Sequence, residues 1–270
     1  WQNSTGGCAG PWVDIVGTNL PTLNVVTVAG GITGYRCIVS GTCAPPVTSN
    51  CAIITAVSPV TITNHPTSST VCAGANTSFS VAGSGSGIIY QWQVNTGSGF
   101  NNITNGGIYS GANAATLNLT GVTTGMSGYQ YRCMLSNATC TTPGTSNTAT
   151  LTVNSLPTVS ANPQNATICE GGSTTFSVTA SGTGISYQWQ LSTDGGTTYN
   201  NIAGANTASY TISSAATGMS GNRYRCIVSG TCTPAVTSTA ALLTVIAPVT
   251  VTSQPANAEK CSGSNAIFNV

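Results

Sequence analysis

The tetrapeptide Tyr-Gln-Trp-Gln at 90–93 returns unchanged at 187–190, and the chain opens on its second half, Trp1-Gln2. The three tryptophans are 91 and 97 residues apart. Working outward, Tyr-Arg-Cys ends at Cys37, Cys133 and Cys226, spaced by 96 and 93. Upstream, a Cys-x-Gly turn falls at Cys72, Cys169 and Cys261, spaced by 97 and 92. Downstream, TSNTATLTV (Thr145–Val153) is echoed by TSTAALLTV (Thr237–Val245) and TSNCAIITAV (Thr48–Val57). Four landmarks keep one order and nearly one spacing, so the chain is a tandem repeat.

A period near 95 residues exceeds that of solenoids and propeller blades. It suits a separate β-sandwich of about 100 residues. Within one period, NTSFSVAG (76–83) alternates polar and apolar residues, the pattern of a half-buried strand. IIYQWQV (88–94), ATLNLTGV (115–122), YQYRCMLS (129–136) and NTATLTV (147–153) follow, separated by Gly, Asn, Ser and Pro turns. Short strands punctuated in this way predict an all-β, antiparallel sandwich.

The composition agrees. Charged residues are 3% of the 270, against about 25% in ordinary soluble domains. Polarity is carried by Thr, Ser, Asn, Gln and Gly, and Thr favours strands. A net charge of +1 offers no footprint for nucleic acid or anionic lipid. No run approaches the roughly 20 apolar residues of a spanning helix, so membrane insertion is not expected. The 11 cysteines argue for an oxidising, extracellular compartment. The chain opens on Trp1 without an initiator Met and reads as a processed or excised segment.

A tryptophan on a core strand followed some 40 residues later by Tyr-x-Cys resembles the immunoglobulin pattern. More narrowly, the series C-x-G, F-x-V, YQWQ, YRC and TSN-A-TLTV resembles the immunoglobulin-like repeats of very large secreted adhesins of Bacteroidota-type bacteria. The resemblance implies that Trp92 and Trp189 are the strand-C tryptophans and that Tyr131 and Tyr224 are corner tyrosines. Met-Ser-Gly at Met126–Gly128 and Met219–Gly221 stands where that corner begins. One departure matters. The strand-B position facing the strand-F cysteine holds Val81, Val178 or Val270, so the usual inter-sheet disulfide has no second sulfur. The strand-F thiol is then expected to be buried as a small apolar group.

Aligned on this pattern, 1–58 is a partial domain with strands C to G, and 59–154 and 155–246 are complete domains. Residues 247–270 supply strands A and B of a further domain. Two explanations stay open: a segment of a longer array, or strand complementation, with 247–270 of one copy completing 1–58 of the next. Splicing Val270 to Trp1 would omit the ten residues that separate Val178 from Trp189, which disfavours a complete subunit.

Each period carries a cysteine before strand B, one on strand F and one near the F–G loop (Cys43, Cys140 and Cys232). Zinc is disfavoured by the spacing and by a single histidine, His65. Disulfides are the better reading, and their candidates are Cys8, Cys37, Cys43, Cys51, Cys72, Cys133, Cys140, Cys169, Cys226, Cys232 and Cys261. The turn before strand B and the F–G loop lie at opposite ends of such a sandwich, about 25 Å apart, whereas a bridge needs Cα atoms within about 7 Å. Two pairings of Cys232 stay open: an interdomain staple to Cys72, or a hairpin pair with Cys226. Cys8 and Cys51 occur only in the first period and are expected to pair with each other.

No catalytic set assembles. His65 sits before a proline in a linker, where a solvated imidazole is the ordinary reading. Asp14, Glu170, Asp194 and Glu259 are scattered and not shared between periods, unlike the paired acids of glycoside chemistry. There is no Asp-x-Asp-x-Asp calcium loop, and no cofactor is expected. Trp12, Phe100 and Tyr199 lie past strand C; each either caps the sandwich edge or, if exposed, stacks on a surface glycan. Six Asn-x-Ser/Thr sequons, at Asn3, Asn76, Asn102, Asn118, Asn137 and Asn165, arise from composition.

The expected function is structural and non-enzymatic: a segment of an extracellular array forming a cell-surface filament, stalk or adhesin. Its expected partners are neighbouring copies or domains, since the surface lacks charge repulsion. The rivals are a ligand-binding module recognising glycan or host protein, and an accessory module of a secreted hydrolase.

Overall fold

The computed structural model describes residues 1–27, 31–43, 45–140 and 142–270. The chain divides into two compact units, Trp1–Val153 and Asn154–Val270. Regular structure in the described residues is strand apart from short 3-10 turns at Gly7–Ala9, Thr124–Met126 and Thr217–Met219.

In the first unit, the strand Ile89–Asn95 pairs antiparallel with Gln130–Ser136, and Trp92 stands opposite Cys133. The sheet runs in the order Phe100–Asn102, Ile89–Asn95, Gln130–Ser136, Ala149–Asn154, Ser69–Cys72. Facing it is a smaller sheet in which Thr116–Leu119 lies between Tyr109–Ser110 and Thr77–Ser80. Alternation explains the layering. Tyr131, Cys133 and Leu135 point inward and are fully buried, while the residues between them face out. Opposite them lie Phe79, Leu117, Leu119 and Val122, and the two inner faces close around Trp92.

The second unit repeats this plan. Ser186–Ser192 pairs with Arg223–Ser229, and Trp189 stands opposite Cys226. Ala166–Cys169 adds to the sheet edge in parallel with Ala241–Ile246. Thr174–Ser177 pairs with Ser209–Ile212 in the facing layer. Phe176, Trp189, Tyr224, Val228 and Leu243 form its core.

Residues 1–58, within the first unit, build one layer. Its order is Val13–Asp14, Gln2–Ser4, Ile32–Arg36, Ala52–Thr55, and Gln2 stands opposite Arg36 as Gln93 stands opposite Arg132. Trp1 donates its indole N–H to Leu20 O at 2.9 Å, as Trp92 does to Ala114 O. The described residues include no facing layer for it. Val39 is 64% exposed, where the equivalent Leu135 is fully buried. Thr22–Val25 (TLNV) nearly repeats Thr116–Leu119 (TLNL) yet forms no strand, and among the described residues nothing pairs with it as Thr77–Ser80 does in the complete copy. Residues 247–270 are exposed throughout and contribute no strand.

Candidate functional site

The YQWQ motif is a set of braces. Gln91 donates from Nε2 to Trp92 O at 2.8 Å and Ile103 O at 2.9 Å, tying the strand to the return of its hairpin. Gln188 does the same with Trp189 O and Ile202 O. The indole N–H groups of Trp92 and Trp189 donate to Ala114 O and Thr207 O, so neither buried ring carries an unsatisfied donor.

Tyr131 and Tyr224 are buried, and each stacks on the strand-B phenylalanine of its own sandwich. Centroids are 4.7 Å apart for Phe79–Tyr131 and 4.8 Å for Phe176–Tyr224. The aromatic pair thus lies two residues before the buried valine on one strand and the buried cysteine on the other. The Tyr131 hydroxyl lies 3.2 Å from that of Tyr109, and burial pushes its pKa well above the ordinary phenol range. Burial raises Tyr224 in the same direction.

Cys8 and Cys51 form a disulfide with Cα atoms 5.8 Å apart. Cys72 and Cys232 are not free thiols. The remaining candidates, Cys37, Cys43, Cys133, Cys140, Cys169, Cys226 and Cys261, are free thiols; this corrects their place among the bridged sulfurs, while Cys133 and Cys226 are buried as the valine on strand B led one to expect. Cys226 being free removes the hairpin pair Cys226–Cys232. The physical reason is plain for Cys133 and Cys226: they are fully buried in apolar cores. Their S–H groups turn back to the carbonyls of Met134 and Ile227, at 3.7 and 3.6 Å. Burial pushes the Cys133 thiol up to about 11, and Cys226 moves the same way.

Polar groups that might have signalled chemistry serve the backbone. His65 is exposed, and its Nδ1 accepts from Asn147 N–H at 3.0 Å. Asn162 does the same for Thr239 N–H in the second unit. Asp194 accepts from the Thr198 hydroxyl and from the N–H groups of Thr197 and Thr198, capping a hairpin turn. The Thr198 and Ser192 hydroxyls hold its carboxyl well below the usual range. Among the described residues no group of three or more His, Cys, Asp and Glu is placed to hold a metal ion.

One arrangement was not anticipated. On the outer face of each sheet, the arginine of Tyr-Arg-Cys lies over an aromatic ring. Arg132 is 4.0 Å from the Phe100 centroid, Arg225 is 3.7 Å from Tyr199 and Arg36 is 4.3 Å from Trp12. Each Nε donates at 2.8 Å to the second glutamine of the YQWQ or WQ motif: Gln93, Gln190 or Gln2. Each glutamine donates onward, to Asn102, Asn201 or Asp14. The aromatics expected to cap an edge or stand exposed are thus half-buried under guanidinium groups. The sequence signal lay in the outward register of arginine and glutamine between inward-facing residues.

Among larger recesses, one of about 390 Å³ opens beside Trp1, Leu20, Cys37 and Val39, on the uncovered face of the first sheet.

A family described as a domain of unknown function (DUF8696) matches residues 158–247. No curated protein sequence gives a significant match. Among solved structures, the I-band fragment I67-I69 from titin is 21% identical, with a TM-score of 0.57, over 74% of this chain and 70% of that one. Rst D1-D2 has a TM-score of 0.54 at 12% identity, over 70% of this chain and 100% of that one. DIP-gamma IG1+IG2 has a TM-score of 0.51 at 15% identity, over 69% of this chain and 97% of that one. These likenesses establish the fold: tandem immunoglobulin-like β-sandwiches.

Proposed function

We propose that the chain is a segment of an extracellular repeat array that projects from, or builds a filament on, a bacterial cell surface. One observation carries this reading: the recurring polar side chains are spent on bracing. Gln91 and Gln188, Ser146 and Ser238, and His65 and Asn162 occupy equivalent positions and bond backbone groups. Such a module is built to be rigid and to be repeated. The solved neighbours include a three-Ig structure of titin domains I67-I69. In this reading 59–154 and 155–246 are whole domains, 1–58 carries strands C to G of another, and 247–270 carries strands A and B of a further one. The exposed Phe268 and Val270 repeat the buried Phe79 and Val81, which supports an ordered, sandwich-bound state for that segment.

The array is tied covalently by a bridge between Cys72 of one repeat and Cys232 of the next. Cys72 closes a strand leading into the turn before strand B, whereas Cys232 lies in the loop after the long strand Arg223–Ser229. In a head-to-tail array those two ends meet. Non-reducing peptide mapping is expected to return a Cys72–Cys232 peptide. Electron microscopy of native material is expected to show beaded filaments with a bead of about 35–45 Å, the length of one sandwich with its loops. Dispersed single particles in native material would refute the array.

A further inference from the structure

We propose that the arginine ledge on each repeat is a binding site for a carboxylated polysaccharide, a polyuronate. The chain has five cationic side chains, and three of them, Arg36, Arg132 and Arg225, occupy one equivalent position. Each is held in place. The guanidinium carbon lies over the ring, 3.7–4.3 Å from its centroid, and a glutamine carbonyl takes Nε. Both contacts remove freedom from a side chain that otherwise loses much on binding.

What remains is the terminal edge. Among the described residues, the terminal nitrogens of the three arginines have no acceptor and form no ion pair. Each Nε partner is a neutral amide; Asp14 stands behind Gln2 at the Arg36 ledge, whereas the glutamines at Arg132 and Arg225 lead on to the neutral Asn102 and Asn201. A planar pair of N–H donors on a fixed guanidinium matches the two oxygens of a carboxylate. The chain's four acidic residues, Asp14, Glu170, Asp194 and Glu259, share no equivalent position between repeats, so a second copy offers no recurring carboxylate to answer this charge.

The surroundings select the class of ligand. Asn101, Asn102, Asn200 and Asn201 beside the ledges are exposed amides, suited to sugar hydroxyls. A protein partner would need an apolar anchor and a dry centre, which these residues do not provide. Identical weak sites repeated along a chain match identical charges repeated along a polymer, and their joint engagement raises avidity without new contacts. The inference deepens the array reading by giving it a ligand, but each ledge is complete within one repeat. Filaments that ignore polyuronate would sink the ledge alone, and polyuronate-binding monomers would sink the filament alone.

The test uses the full chain and immobilised polygalacturonate, with dextran and poly-L-glutamate as controls. Binding to polygalacturonate is expected at low salt, weakening as salt rises, with none to dextran and less to poly-L-glutamate. R132Q/R225Q is expected to weaken it at least about tenfold, because each lost charge-assisted pair is worth that much. R132K/R225K, which keeps charge but loses the flat fork, should fall between. In the unaltered chain, the arginine Nε–H resonances of Arg36, Arg132 and Arg225 are expected to shift on adding polygalacturonate, a readout that needs no variant to fold. Absent binding at low salt, unshifted Nε–H resonances, or a preference for poly-L-glutamate would each overturn the proposal.

Discussion

In Tyr-Arg-Cys the strand pleat sends three chemistries in alternating directions: phenol inward, guanidinium outward, thiol inward. The inward sulfur is the informative one. Cys133 and Cys226 are fully buried and face apolar neighbours, so their thiols resist ionisation. The thiolate is the nucleophile. In the native chain, iodoacetamide at mild alkaline pH is therefore expected to label the exposed Cys169 and Cys261 and to spare Cys133 and Cys226. All four should label after denaturation in guanidinium, as read by peptide mass. Labelling of Cys133 at the rate of Cys169 in the folded chain would contradict the buried-thiol description. The same burial makes Trp92→Ala costly, at about 3–5 kcal/mol in its own sandwich, measured as a fall in unfolding free energy.

At the scale of the element, the last strand of each sandwich is broken, and a serine mends the break. Gly144–Thr145 and Ala149–Asn154 are separate strands beside Gln130–Ser136. Between them the Ser146 hydroxyl accepts from Cys133 N–H at 2.9 Å and donates to Asn147 O at 2.8 Å. Ser238 does the same for Cys226 N–H and Thr239 O. Removing the hydroxyl strands a buried N–H, so Ser146→Ala is expected to destabilise its sandwich by about 1–3 kcal/mol. Denaturant melts with an unchanged m-value would show this as a lower midpoint. The recurrence of TSN was readable as a strand landmark, but its break was not, because propensity says nothing of where a ladder stops. Trp92 and Tyr131 were readable as core because a tryptophan followed by Tyr-x-Cys resembles the immunoglobulin pattern, in which both positions are buried. The arginine ledge escaped because it needs three strands in register, Gln93 against both Asn102 and Arg132, and register is a property of pairing. Conversely, Thr22–Val25 asks by its sequence to be a strand and forms none, with no partner among the described residues. That is tertiary context overriding local preference.

For the whole molecule, the scarcity of charge decides how stability responds to pH. Few groups titrate, and those with displaced pKa values lie at the two extremes. Asp194 is held low, so its carboxylate favours the folded state above its ordinary range near 3.8 and loses that contribution as pH falls. Cys133 moves from 9.0 to about 11, and Cys226, Tyr131 and Tyr224 also move up. For an acid whose folded pKa is raised, the unfolded chain gives up its proton first. Stability is therefore full below the unfolded value and declines as pH rises from there to the folded value. Cys133 alone would remove about 2 kcal/mol between pH 9 and 11, since each pKa unit is worth about 1.4 kcal/mol and the loss is partial at both limits. The melting temperature is expected to stay level from about pH 5 to about pH 8, and to fall steeply above about pH 9. Cys133→Ala should shift that alkaline fall upward in pH while lowering the plateau, because it removes both a titrating group and a packed one. A plateau broken near neutrality would mean that some charged pair holds the fold together, and a sandwich stabilised by hydroxyls, amides and apolar cores would then be the wrong picture of this chain.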